Sequence, residues 1–115
     1  MARVLLVDDD EDSLEMRRQV FQIHGHQVFA AATAGRAREQ FHAESPDSVI
    51  LDLRLPDPAD GLALIREFRT ASPEVKIVVL AGWTADLDRH SEIALVDRIL
   101  AKPVRSEVLL DAIQV

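Results

Sequence analysis

The chain has 115 residues, 48% apolar and 29% charged, with 13 basic against 20 acidic side chains and a net charge of −7 at pH 7. That length holds one domain at roughly 100–200 residues per domain, and the composition excludes a disordered chain. The acid excess argues against nucleic acid and anionic membrane as partners, because phosphate contact needs Lys and Arg in excess, and the absence of cysteine excludes disulfides, thiolate zinc sites and thiol catalysis.

No apolar run approaches the ~18 residues of a membrane span. The stretch Val4 to Val7 is too short for a signal peptide and ends in acid. The expectation is a single, soluble, cytoplasmic domain spanning residues 1–115, either minimal or cut from a longer protein.

In chain order, Val4 to Val7 is the first of five short runs rich in Val, Ile and Leu; the others are Val28 to Ala32, Val49 to Leu51, Val75 to Leu80 and Ile99 to Ala101. Such runs, without polar alternation, read as strands buried on both faces. A helix follows the first, with Met16, Val20 and Ile23 on one face. Asp12 with Glu15 three residues on has the form of a capping box at its start, and Gly25 stops it. The second helix is capped by Thr33, faces the core with Ala34, Ala37 and Phe41, and ends at Ser45-Pro46-Asp47. Leu62, Ile65 and Phe68 mark the third, which stops at Ser72-Pro73. The fourth, around Asp86 to Ala94, is polar, anchored only by Leu87 and Ile93 or Ala94. Val108 and Ala112 mark the last. Repeated strand–helix units require right-handed crossovers that cover both faces of a parallel sheet. The fold class is therefore α/β: three layers, α/β/α, around a five-stranded parallel sheet. For five units the common strand order is 2-1-3-4-5, the flavodoxin-like (βα)5 arrangement.

The acids have a pattern. Asp8, Asp9 and Asp10 directly follow the first strand, and Asp52 follows the third. Ligands in an open parallel sheet sit outside the carboxyl ends of the strands, where strand order reverses, here between strands one and three. Asp8, Asp9 and Asp52 should converge there. Their mutual repulsion destabilises the fold unless a cation joins them. Oxygen-only ligands, without His or Cys, point to Mg2+ or a similar hard ion. Lys102, after the fifth strand, should reach the same rim and pair with a carboxylate or with a phosphoryl group carried on one. An acid run that opens a helix is also ordinary capping and dipole chemistry; that reading is taken for Asp10, Glu11 and Asp12.

These residues carry a resemblance. Val4-Leu5-Leu6-Val7-Asp8-Asp9-Asp10 resembles the first strand and acidic pair of the receiver domain of two-component response regulators. Val49-Ile50-Leu51-Asp52-Leu53-Arg54-Leu55-Pro56, followed by Asp60-Gly61, resembles the phosphoacceptor strand and its loop, and Lys102-Pro103 the Lys-Pro pair after the last strand. The resemblance implies that Asp52 takes a phosphoryl group from a phosphohistidine on a histidine kinase or phosphotransfer protein. It implies that Asp9 ligates Mg2+ directly, Asp8 mostly through water, and that Asp52 and the backbone carbonyl of Arg54 complete the protein ligands. Lys102 would bind the phosphoryl oxygens, with the peptide bond before Pro103 cis. Mg2+ and Lys would supply the in-line positioning and charge neutralisation that phosphoryl transfer needs.

Three positions depart from the family pattern. Ala81 stands where Ser or Thr normally bonds the phosphoryl group, leaving the Gly82 N–H as a donor; Thr84 reads better as a helix cap than as a replacement. Ile99 occupies the aromatic switch position, and Val104 replaces the common Phe after Lys-Pro. The loop from Asp52 to Gly61 is one residue longer than usual and holds Pro56 and Pro58. By analogy, Arg54 and Trp83 tune the lifetime of the acyl phosphate, although a loop aromatic is an equal reading for Trp83.

Other candidates read as surface. His24 and His26 lack a third ligand; His42 and His90 lie in polar helical stretches; Arg17, Arg18, Arg36 and Arg38 are scattered among acids as exposed helix faces. Three functions compete. One is a phosphorylatable receiver that catalyses only its own modification. Another is a docking module independent of phosphate, favoured by Ala81 and Ile99. The third is a Mg2+-dependent phosphohydrolase using the Asp8-x-Asp10 spacing, weakened because Asp12 stands where such enzymes prefer Thr or Val. A homodimer, if formed, would use the fourth helix, fifth strand and fifth helix, a polar face including Asp86, Asp88, Arg89, His90 and Glu92, and would be salt-sensitive.

Overall fold

The computed structural model describes residues 2–52, 58–82 and 91–113. Its five strands are β1 (Arg3–Val7), β2 (Gln27–Ala31), β3 (Ser48–Asp52), β4 (Lys76–Ala81) and β5 (Arg98–Ala101). All pair in parallel in the order β2-β1-β3-β4-β5. The helices are α1 (Glu11–Ile23), α2 (Ala34–Glu44), α3 (Pro58–Ala71) and α4 (Ser106–Ala112), with a 3-10 turn at Ser91–Leu95. No helix among the described residues is long and apolar enough to cross a membrane.

Alternation along the strands divides the core between two faces. Leu5, Val7, Val49, Leu51, Ile77 and Val79 pack under α2 and α3. Val4, Leu6, Ile50, Val78 and Leu80 pack under α1 and α4. On the first face Phe41 of α2 stacks on Phe68 of α3, with ring centroids 4.0 Å apart and planes 9° from parallel. Arg69 fixes the segment before β5: its guanidinium donates to the carbonyls of Pro73, Val75 and Leu95 and pairs with Asp97.

Several local expectations need correction. Helix α1 is capped by Asp10, whose carboxylate accepts the N–H groups of Asp12 and Ser13, so Asp12 is already helical. Its inward face is Leu14, Arg17 and Phe21. Met16 is 55% exposed and Ile23 81%, and Val20 is only partly buried. Both sets have helical spacing, and the sheet selects the one carrying the large Phe21. Helix α3 starts at Pro58, so Gly61 lies inside the helix and not in the loop; a proline at the first helical position needs no N–H partner. The helix expected around Asp86 to Ala94 falls largely outside the described residues, and its visible part is the 3-10 turn. The caps at Thr33 and at Ser45, which takes φ 47°, are as expected. Gly25 ends the first helix with φ 87°, a left-handed conformation that suits glycine.

Phe68→Ala would remove one half of the stacked pair from a fully enclosed position. We expect a loss of about 3–5 kcal/mol, read as a lower urea midpoint; a shift of only a few tenths of that would contradict the packing described.

Candidate functional site

Strands β1 and β3 are neighbours and both run toward the same edge, so their carboxyl ends deliver acids to one place. Asp8 follows β1 and Asp52 is the last residue of β3; each is only 3% exposed. With the exposed Asp9 they offer carboxylate oxygens that all lie within 4.8 Å of one another, the only such cluster of possible metal ligands among the described residues. The convergence expected from strand order is thus observed.

Two cations meet this cluster. Lys102, immediately after β5, places Nζ 2.5 Å from Asp52 Oδ2. Its backbone N–H donates to the Ala81 carbonyl at 2.9 Å, and the Lys102-Pro103 peptide is cis. The second cation, Arg17, was expected on an open helix face. Its Nη1 lies 2.7 Å from Asp8 Oδ2, and its side chain is 12% exposed. Arg17 is three residues after Leu14 and four before Phe21, so it shares their stripe, but the spacing did not mark that stripe as the one facing the sheet. The other basic residues of that group remain at the surface, with Arg18 bonded to Glu15, Arg36 to Glu39 and Arg38 to Glu67.

The electrostatics follow from burial. Loss of solvent raises the pKa of Asp8 above its ordinary 3.8; the Asp10 N–H opposes this, the nearby Asp52 charge adds to it, and Arg17 works against it. Asp10 behaves oppositely: its hydrogen bonds from Ser13 hold it below the usual value, as befits a helix cap.

The neighbouring positions fit the same rim. Asp52 is in register with Leu80, and Ala81, buried and without a hydroxyl, follows on β4. Gly82 is exposed, with open space where a Cβ would stand. Ile99, on the edge strand β5, is partly buried against the α2–α3 face. Arg54, Trp83 and Thr84 lie outside the described residues, as do Asp86, Asp88, Arg89 and His90. His24 and His26 join no ligand cluster: His24 Nδ1 contacts the Val20 carbonyl, and His26 Nδ1 accepts the Ala2 N–H. A separate groove of about 810 Å³, which includes Phe41, Pro46, Ser48 and Lys76, opens near the other ends of β3 and β4, away from the acids.

The donor set suits Mg2+. Three carboxylates and no nitrogen or sulfur match a hard divalent ion that retains waters.

Comparison with known proteins gives a consistent result. A family model described as the response regulator receiver domain matches residues 4–114. The virulence transcriptional regulatory protein PhoP of Salmonella typhimurium is 35% identical over 117 aligned positions, covering 99% of this chain and 51% of that protein. The KDP operon transcriptional regulatory protein KdpE of Escherichia coli is 35% identical over 104, covering 90% and 45%. The chain therefore spans about half the length of these curated relatives. Among solved structures, a CheY-like receiver domain protein from Methanospirillum hungatei superposes with a TM-score of 0.88 at 30% identity, covering 98% of this chain and 90% of that one. The response regulator TrrA of Thermotoga maritima, solved in complex with Mg2+-BeF, gives 0.84 at 25% identity, covering 96% and 95%.

Because folding raises the Asp8 pKa, ionising this carboxyl costs stability as pH rises from 3.8 through its higher folded value. A carboxyl-carbon NMR titration in chelator should place its midpoint above 3.8, and saturating Mg2+ should pull it down. A metal-free midpoint at or below 3.8 would show that Arg17 and the Asp10 N–H outweigh burial.

Proposed function

The chain belongs to the response regulator receiver domain family, and on that premise we propose that it is a phosphoacceptor in two-component signalling, with Asp52 as the nucleophile. The observation that carries this reading is the convergence of Asp8, Asp9 and Asp52 at one sheet edge with Lys102 on Asp52. An Asp52 carboxylate oxygen attacks the phosphorus of a phosphohistidine, the P–N bond breaks, and the imidazole leaves. Lys102 stays beside the acceptor oxygen and neutralises charge on the transferred group. The Gly82 N–H is a further donor to that group. Asp8, Asp9 and Asp52, with the Arg54 carbonyl, would hold Mg2+, which when bound supplies charge neutralisation for the phosphoryl oxygens. Water then hydrolyses the acyl phosphate, so the domain acts on its own modification and turns over no metabolite. Arg54 and Trp83 are assigned the tuning of that lifetime.

The donor partner in this reading is a histidine kinase or phosphotransfer protein in the cytoplasm. Exposed apolar residues that a partner could cover are Met16 and Ile23 on α1 and Val108 on α4. Any homodimer is assigned to the side of the sheet that includes β5 and α4. PhoP and KdpE are named as transcriptional regulators; an output of that kind here would lie outside these 115 residues.

A second reading, docking independent of phosphate, is favoured by two observations: Ala81 offers no hydroxyl at the rim, and Ile99 is an aliphatic residue on the edge strand. The phosphohydrolase reading is weakened, because Asp10 uses its carboxylate to cap α1 and is not among the clustered acids.

Treatment with a small acyl phosphate or phosphoramidate and Mg2+, followed by intact mass measurement, should show the gain of one phosphoryl group. Asp52→Asn should abolish the gain, and chelation should suppress it. An unmodified wild-type chain under these conditions would favour the docking module.

A further inference from the structure

Arg17 contributes a cation to the acid cluster from an element that none of the site motifs includes. Asp8 has both oxygens engaged: Oδ2 with Arg17 Nη1 at 2.7 Å and Oδ1 with the Asp10 N–H at 2.9 Å. The Arg17–Asp8 pair is largely closed to solvent, at 12% and 5% side-chain exposure, unlike the other helix-surface arginines. Lys102, whose side chain is one-third exposed, pairs with the buried Asp52. Three negative charges therefore already face two positive ones before any divalent ion enters.

We propose that Arg17 is a built-in counter-ion for Asp8 that a divalent ion must displace or repel, so that helix α1 lowers the metal affinity of the resting domain while holding it together without metal. The inference rests on the Mg2+ reading of Asp8, Asp9 and Asp52. Its physical basis is twofold. A guanidinium beside a ligand carboxylate repels an incoming dication through partly desolvated space, where Coulomb terms are weakly screened. A buried arginine also loses solvation that only its carboxylate replaces, so removing it from Asp8 has its own cost. Arg17 is thus a positioning residue: it acts on the metal through Asp8 and touches no reacting atom.

The test is calorimetric titration of Mg2+ into chelator-treated protein for wild type, Arg17→Met and Arg17→Lys, with thermal melting in chelator and in saturating Mg2+. Arg17→Met should bind Mg2+ at least tenfold more tightly, about 1.4 kcal/mol, and Arg17→Lys should fall between it and wild type. In chelator Arg17→Met should melt below wild type, and saturating Mg2+ should shrink that gap. Should Arg17→Met unfold in chelator, recovery of its circular dichroism on adding Mg2+ supports the proposal and failure to recover counts against it. Unchanged or weaker Mg2+ binding by a folded Arg17→Met overturns the counter-ion role while leaving the metal site standing. Absence of Mg2+ binding by every variant, with native circular dichroism, removes the metal site and the proposal together.

Discussion

The constraint on which the site depends is the crowding of negative charge where β1 and β3 end. Asp8 and Asp52 are both nearly sealed from solvent, with carboxylate oxygens within 4.8 Å. At an effective dielectric of about 20, two charges at that separation repel by roughly 3 kcal/mol, a substantial part of a small domain's stability. The fold meets this with a cation on each buried acid, Lys102 from beyond β5 and Arg17 from α1. Each cation comes from a different side of the site, so the rim is cross-linked by charge from β1 through β3 to β5. Removing either cation leaves a buried carboxylate without its compensation.

The topology makes the crowding unavoidable. A parallel sheet directs every strand's carboxyl end to one edge, and placing β1 beside β3 makes the residues after those strands neighbours. The two cores beneath and above the sheet fix the strands independently of the acids. The Phe41–Phe68 stack lies on one face, and Leu14 and Phe21 pack into the core on the other.

Much of this was legible in the sequence because the strands are continuous apolar runs and the acids follow them directly. Strand number came from that pattern, and the Asp8–Asp9–Asp52–Lys102 gathering followed once the common order for five strand–helix units was taken. The orientation of α1 was not legible. Met16, Val20 and Ile23 form one helical stripe and Leu14, Arg17 and Phe21 another, and periodicity alone cannot choose between them. The arginine disguised the true inward stripe, since charged residues normally mark the outside. The start of α3 at Pro58 was obscured because the loop after Asp52 was read as running to Gly61, with Pro58 as one of its residues. Within the polar stretch after β4, too few apolar anchors separate a regular helix from the 3-10 turn seen at Ser91–Leu95.

The same rotation of α1 has a mechanical consequence. Met16 faces outward and Arg17, the very next residue, reaches inward to Asp8. Consecutive residues of one helical turn thus face opposite surroundings, so a turn of α1 about its axis that buried Met16 would draw Arg17 away from Asp8.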